Sequence, residues 1–120
     1  FTGVVAGSPT TISATINGST ITSTLPTVQV VAGALSLAQS TVTVSSPTVA
    51  SGSTVIVTLQ ARDAAGNNIT TGGRTVVFSR TGGTSTGNFS AVSDNANGTY
   101  TSTFTGIISG TLTTVTATVN

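Results

Sequence analysis

Cysteine, methionine, tryptophan, histidine, lysine and glutamate are all absent from these 120 residues. The charged inventory is Arg62, Asp63, Arg74, Arg80 and Asp94, 4% of positions, against about a quarter in an ordinary globular domain. Each absence excludes something. Without histidine, lysine or glutamate, general acid–base chemistry near neutral pH has only Asp63, Asp94 and Tyr100 to draw on, so no catalytic residue is assigned. The 28 threonines and 16 serines offer hydroxyls with no base to activate them. Without thiolate or imidazole there is no transition-metal site, and no cofactor motif is present. Three arginines do not make a nucleic-acid surface. Disulfides and lysine–asparagine isopeptide bonds are unavailable, so stability has to come from core packing and β-ladders. No apolar run reaches the ~18–20 residues of a membrane helix, so no membrane insertion is expected. The opening Phe1-Thr2-Gly3 has no basic leader, and the chain reads as a mature protein or a piece of one.

What is present favours strands. Fifteen valines, seven isoleucines and the threonines suit a pleated, half-buried surface. Val55, Val57, Leu59 and Ala61 alternate with Ile56, Thr58, Gln60 and Arg62 between Thr54 and Asp63. Tyr100, Ser102 and Phe104 alternate with threonine over Thr99–Thr105, as do Val115, Ala117 and Val119 over Thr111–Asn120. Shorter candidates are Ser40–Ser45, Arg74–Arg80 and Gly87–Ser93. Turn signals divide them at Ser46-Pro47, Ala65–Asn68, Gly72, Gly82 and Asn97. This spacing predicts an all-β fold of two packed antiparallel sheets. The expected core is Val42, Val44, Val55, Val57, Leu59, Val76, Phe78, Phe89, Tyr100, Phe104, Val115 and Val119.

The chain also repeats itself. FTGVVAGSPTTISATIN at Phe1–Asn17 aligns without gaps to FTGIISGTLTTVTATVN at Phe104–Asn120, with nine of seventeen positions identical at an offset of 103 residues. A tandem array with that period is the expected source. Asn17-Gly18 between alternating stretches signals a hairpin of Thr10–Ile16 with Ser19–Leu25, Thr27–Val31 continuing the second arm. The expected organisation is residues 1–32 as the terminal hairpin of a preceding repeat, or donated strands, and 33–120 as the next repeat. On that division the edge beside Thr111–Asn120 lacks its last strand and invites one. The expected assembly residues are Phe1, Val5, Ile12, Ile16, Ile21, Val28, Val30, Val115 and Val119, and the expected partners are other copies of the same repeat.

Ser51–Ser79 (SGSTVIVTLQARDAAGNNITTGGRTVVFS) with Asp94–Asn120 (DNANGTYTSTFTGIISGTLTTVTATVN) resembles the bacterial immunoglobulin-like repeats of the invasin/intimin type, the Big-1 family. The Asp-Ala-Ala-Gly-Asn turn, the Asn-Gly-Thr-Tyr strand entry and the closing Thr-Val-Thr-Ala-Thr-Val-Asn carry the likeness. The resemblance implies an immunoglobulin-like β-sandwich in an extracellular or cell-surface stalk, filament or adhesin.

Other features remain. Asp94-Asn95-Ala96-Asn97-Gly98 supplies hard oxygens, making Asp94 and Asn97 a calcium candidate; the same residue types also form Asx turns. Asn17, Asn68, Asn88 and Asn97 each begin a glycosylation sequon, and glycans would keep so uncharged a surface soluble. Threonine rows at Thr99/Thr101/Thr103/Thr105 and Thr114/Thr116/Thr118 offer an alternative function: a module recognising carbohydrate, ice or a host receptor. The leading expectation is a structural repeat, not an enzyme. With so few titrating groups, its stability should be nearly flat between mild acid and mild base.

Overall fold

The structure, a computed structural model, describes residues 1–120. Its longest strands follow the strictest alternation. In β6 (Thr54–Gln60) Val57 and Leu59 are buried while Ile56 on the opposite face is exposed, and in β10 (Thr99–Ile108) Tyr100, Ser102 and Phe104 face inward between half-buried threonines. These two strands pair antiparallel from Thr99↔Gln60 to Thr105↔Thr54. Around them, β5 (Thr41–Val44) joins the outer side of β6, while β8 (Thr86–Phe89) and β9 (Ser93–Asp94) join β10, completing one five-stranded sheet. The facing sheet is a pair, β7 (Val76–Thr81) with β11 (Thr114–Val119), in register from Val119↔Val76 to Thr114↔Thr81.

Two sequence expectations are revised here. Gly87–Ser93 is not one strand but β8 and β9. The break falls at Ser90, whose hydroxyl accepts from the Thr103 amide at 3.0 Å and whose carbonyl accepts from the Ser102 hydroxyl at 2.9 Å. The Ser90 amide still donates to the Thr103 carbonyl at 2.8 Å, but the return bond goes to a side chain, which ends the regular ladder. Arg74 lies outside β7, its amide donating to the Tyr100 hydroxyl at 3.2 Å, which gives the buried phenol a polar partner.

Between the sheets lie Val57, Leu59, Ala61, Ile69, Val76, Phe78, Tyr100 and Phe104. Phe78, Phe89 and Phe104 bridge the layers, with ring centroids 6.1 Å and 4.9 Å apart. Only 12 of 120 residues are buried, so each core side chain carries a large share of the stability. Of the expected core, Val42, Val55, Phe89, Val115 and Val119 are half-buried and Val44 is 40% exposed. For the valines the reason is an open seam between β5 and β11, which approach each other without pairing; Phe89 lies on β8 at the opposite edge of the sheet.

Residues 1–31 project from one end. β2 (Thr15–Ile16) and β3 (Ser19–Thr20) pair across Asn17 and Gly18, whose φ of 49° and 84° give the two-residue turn that the Asn-Gly signal predicts. Further from the tip β1 (Thr10–Thr11) pairs with β4 (Thr27–Val28). The shift in register between these pairs interrupts the expected Ser19–Leu25 arm. The whole measures 73 × 23 × 22 Å with a radius of gyration of 21.1 Å, where a compact chain of this length has about 14 Å. It is a rod.

Candidate functional site

Two places combine unusual chemistry with position: the joint between projecting hairpin and sandwich, and the open seam along β11.

At the joint, β6 delivers Asp63 to the sandwich end nearest the hairpin. The residue is 5% exposed, and its carboxylate is surrounded by donors. Oδ1 accepts from the amides of Ala65 and Asn67, both at 2.9 Å. Oδ2 accepts from the Gly33 amide at 2.8 Å and from Asn67 Nδ2 at 2.9 Å. Asn67 then reaches into the hairpin's base, its Nδ2 donating to the Val4 carbonyl and its Oδ1 accepting from the Ala6 amide, both at 2.9 Å. Gly66, at φ 84°, turns the chain so that residues 63 and 67 face each other. The base is further tied by the Gly7 amide donating to the Val30 carbonyl at 3.1 Å. One aspartate and one asparagine thus hold three segments of chain.

The Asn67 side chain, then the Gly33 amide, then the amides of Asn67 and Ala65 lower the Asp63 pKa from 3.8 to about 2 against the opposing effect of burial. A depressed carboxyl pKa contributes stability that is fully present above 3.8 and is lost as pH falls toward 2. Stability is therefore expected to stay flat from pH 7 to about 5 and to fall only below about 4. Melting temperatures across that range check this, and Asp63→Asn should remove the acid limb.

The seam runs the length of β11. Toward the joint it forms a groove of about 290 Å³ lined by Leu37, Val42, Leu59, Ala117 and Val119 among others. Toward the far end a second groove of about 230 Å³ is lined by Val44, Val55, Phe104, Leu112 and Val115 among others. Leu37 is 66% and Leu112 85% exposed. Apolar side chains thus line the gap beside a strand whose outer edge is unpaired.

The expected assembly residues fall in two groups. Val115 and Val119 line the seam. Phe1, Val5, Ile12, Ile16, Ile21, Val28 and Val30 lie in the projecting segment, with Phe1 88% and Val5 75% exposed. The two threonine rows are not brought together. Those on β10 and β11 face outward from different sheets. Asp94 accepts from the Gly73 amide at 2.6 Å and the Ala96 amide at 2.8 Å, and Asn97 Oδ1 accepts from the Thr99 amide at 3.0 Å. Backbone donors thus occupy this turn's oxygens. Asn17, Asn68, Asn88 and Asn97 are all exposed. The Asp63–Asn67 clasp escaped sequence reasoning, which took these residues as a turn; the available signal was that one of only two acids sits four residues before an asparagine.

Two antiparallel sheets packed into a thin sandwich, elongated at one end by a hairpin, define an immunoglobulin-like module. Residues 36–120 match the family described as invasin, domain 3, and the chain belongs to that family. Among solved structures it is similar to the Escherichia coli adhesin FdeC, with 33% identity and a TM-score of 0.62 over 92% of this chain. It is also similar to invasin, described as a bacterial integrin-binding protein, with 25% identity and a TM-score of 0.60 over 96% of this chain. The chain spans 35% of the first and 22% of the second. No curated protein sequence matches it. These relatives are adhesins rather than enzymes, and the chain is an adhesin-type module of the cell surface or extracellular space.

Proposed function

We propose that this chain is a structural repeat of a surface stalk or filament, built to stack end to end. Residues 33–120 are one repeat, and residues 1–32 are the terminal hairpin of the repeat before it. The observation that carries this is the Asn67 clasp. The backbone it holds, Val4 and Ala6, corresponds at the 103-residue offset to Ile107 and Ser109. Those residues sit at the sandwich end opposite Asp63, where β10 finishes. The hairpin base therefore stands in for the far end of a preceding repeat, and the contact seen within the chain is the contact between successive repeats. Exposed Ile107, Ile108 and Leu112 belong to the same end.

Copies meeting in this way need little charge to keep them apart, consistent with a surface bearing five charged side chains. The reading includes sharing of strands between neighbours at the β11 edge. It assigns no catalytic residue.

The test is to loosen the clasp. Asn67→Ala deletes both bonds to the hairpin base but leaves the Gly33–Asp63 bond. Small-angle scattering should then show a flexible particle whose mean radius of gyration falls below 21.1 Å, with the sandwich still folded by circular dichroism and its melting temperature lowered only by the loss of the Asn67–Asp63 bond. A variant as stiff and long as the parent would show that Asn67 does not set the joint.

A further inference from the structure

The seam beside β11 has a definite shape, and the chain itself contains the pattern of what fits it. Thr11–Ile16 corresponds to Thr114–Val119, which is β11, at the 103-residue offset. In the projecting hairpin this β11 equivalent already has a partner. Thr10 pairs with Val28, Thr11 with Thr27, Thr15 with Thr20 and Ile16 with Ser19. The Ile21 amide also donates to the Ala14 carbonyl at 3.1 Å. Carried over by the offset, the arm Ser19–Val31 meets β11 as Thr113↔Val28, Thr114↔Thr27, Thr118↔Thr20 and Val119↔Ser19, with Ile21 opposite Ala117.

That register has a consequence for burial. Opposed residues of antiparallel strands point to the same face. Val115, Ala117 and Val119 are the inward, half-buried residues of β11, so Ile21 enters the groove between Leu37, Val42, Leu59, Ala117 and Val119. In the hairpin the arm is only partly covered: Ile21, Leu25 and Val30 are half-buried, while Val28 is 37% and Val31 70% exposed. An isolated two-stranded hairpin is marginal in water, so leaving it for an apolar groove is favourable.

We infer that the seam accepts the arm Ser19–Val31 of a second copy of this chain, whose own Phe1–Asn17 it releases, in the register given above. The inference rests on the end-to-end reading and names its contact surface. Phe1–Asn17 then acts as an internal placeholder, holding the arm and the Asn67 clasp until Phe104–Asn120 of another copy takes both positions. Donor arm and acceptor seam are different surfaces, so the contact is heterologous, and repeated copies form an open filament rather than a closed dimer.

The experiment uses three versions of this 120-residue chain: the parent, Ile21→Asp and Ala117→Asp. Ile21→Asp spoils the donor arm and leaves the seam intact; Ala117→Asp does the reverse. In sedimentation velocity the parent should associate with rising concentration, and each variant alone should remain monomeric. Their equimolar mixture should form dimers and nothing larger, because one good arm and one good seam remain between them. Circular dichroism on each variant establishes folding. Independently, Thr20→Cys mixed with Thr118→Cys should give a disulfide-linked dimer in this cysteine-free chain, at least tenfold faster than Thr20→Cys mixed with Thr43→Cys. A parent that stays monomeric at all concentrations, association that survives both aspartate variants, or no preference between the cysteine pairs overturns the inference. The Asn67→Ala scattering result is independent of all of these. A loosened joint with no association leaves the end-to-end reading standing, and a rigid joint removes it.

Discussion

Phe78→Ala should cost about 3–5 kcal/mol, the range for truncating a buried phenylalanine. That is a large part of the ~5–15 kcal/mol that holds a typical domain together. Phe78 is 6% exposed and stands on β7 against Phe89, which in turn meets Phe104 on β10. The three rings are the main aromatic link between the sheets, and no disulfide is present to limit the damage. Its neighbour Val77 is 54% exposed, so Val77→Ala should change stability by less than about 0.5 kcal/mol. Urea unfolding checks both, with the midpoint falling by roughly 2 M for the first and hardly moving for the second. Equal effects would mean that the sandwich is not packed as described.

The second large effect is a gain. A chain extended after Asn120 by the sequence of Gly18–Ala32 carries its own copy of the arm, which can fold back along β11 through the same Asn-Gly turn. Burying Ile21's counterpart contributes about 1.5–3 kcal/mol, and further apolar contacts offset the ordering of the new strand. A net gain of about 2 kcal/mol should raise the melting temperature by roughly 10 °C. The same extension carrying Asp in place of Ile at the position copied from Ile21 should lose most of that gain. No change in melting temperature on extension would mean that the seam is not a strand seat.

Much of this architecture is legible in the residues. The period-two alternation places Val57, Leu59, Tyr100 and Phe104 in the core because a strand with one buried face has to alternate. Asn17-Gly18 announces its turn because few residue pairs accept two positive φ angles. The likeness of Phe1–Asn17 to Phe104–Asn120 is visible before any fold is known, and the proposed end-to-end stacking draws on it. What the alternation cannot tell is which apolar face has a cover. Val44 and Val57 look alike in sequence, yet Val44 is 40% exposed and Val57 fully buried, because Val44 lines the open seam and Val57 lies between the sheets. Nor does pattern distinguish Asp63 from Asp94. Both sit in Asx-type turns, but only Asp63 lies where the chain enters from the hairpin. There it gathers the Gly33 amide and the Asn67 side chain, and through Asn67 the hairpin base. Local sequence sets the turn, and the meeting of distant segments sets its role.

The most direct measurement is small-angle scattering from a two-repeat chain, with residues 18–120 repeated once after Asn120. If successive repeats are clasped end to end, the maximum dimension should grow from 73 Å by on the order of 40 Å, roughly the length of a ten-residue strand plus its joint. The cross-section should stay the same, and Asn67→Ala in the second repeat should let the rod bend. A two-repeat particle that thickens while its length stays near 73 Å would mean that the repeats pack side by side and that the Asn67 clasp is not the contact between them.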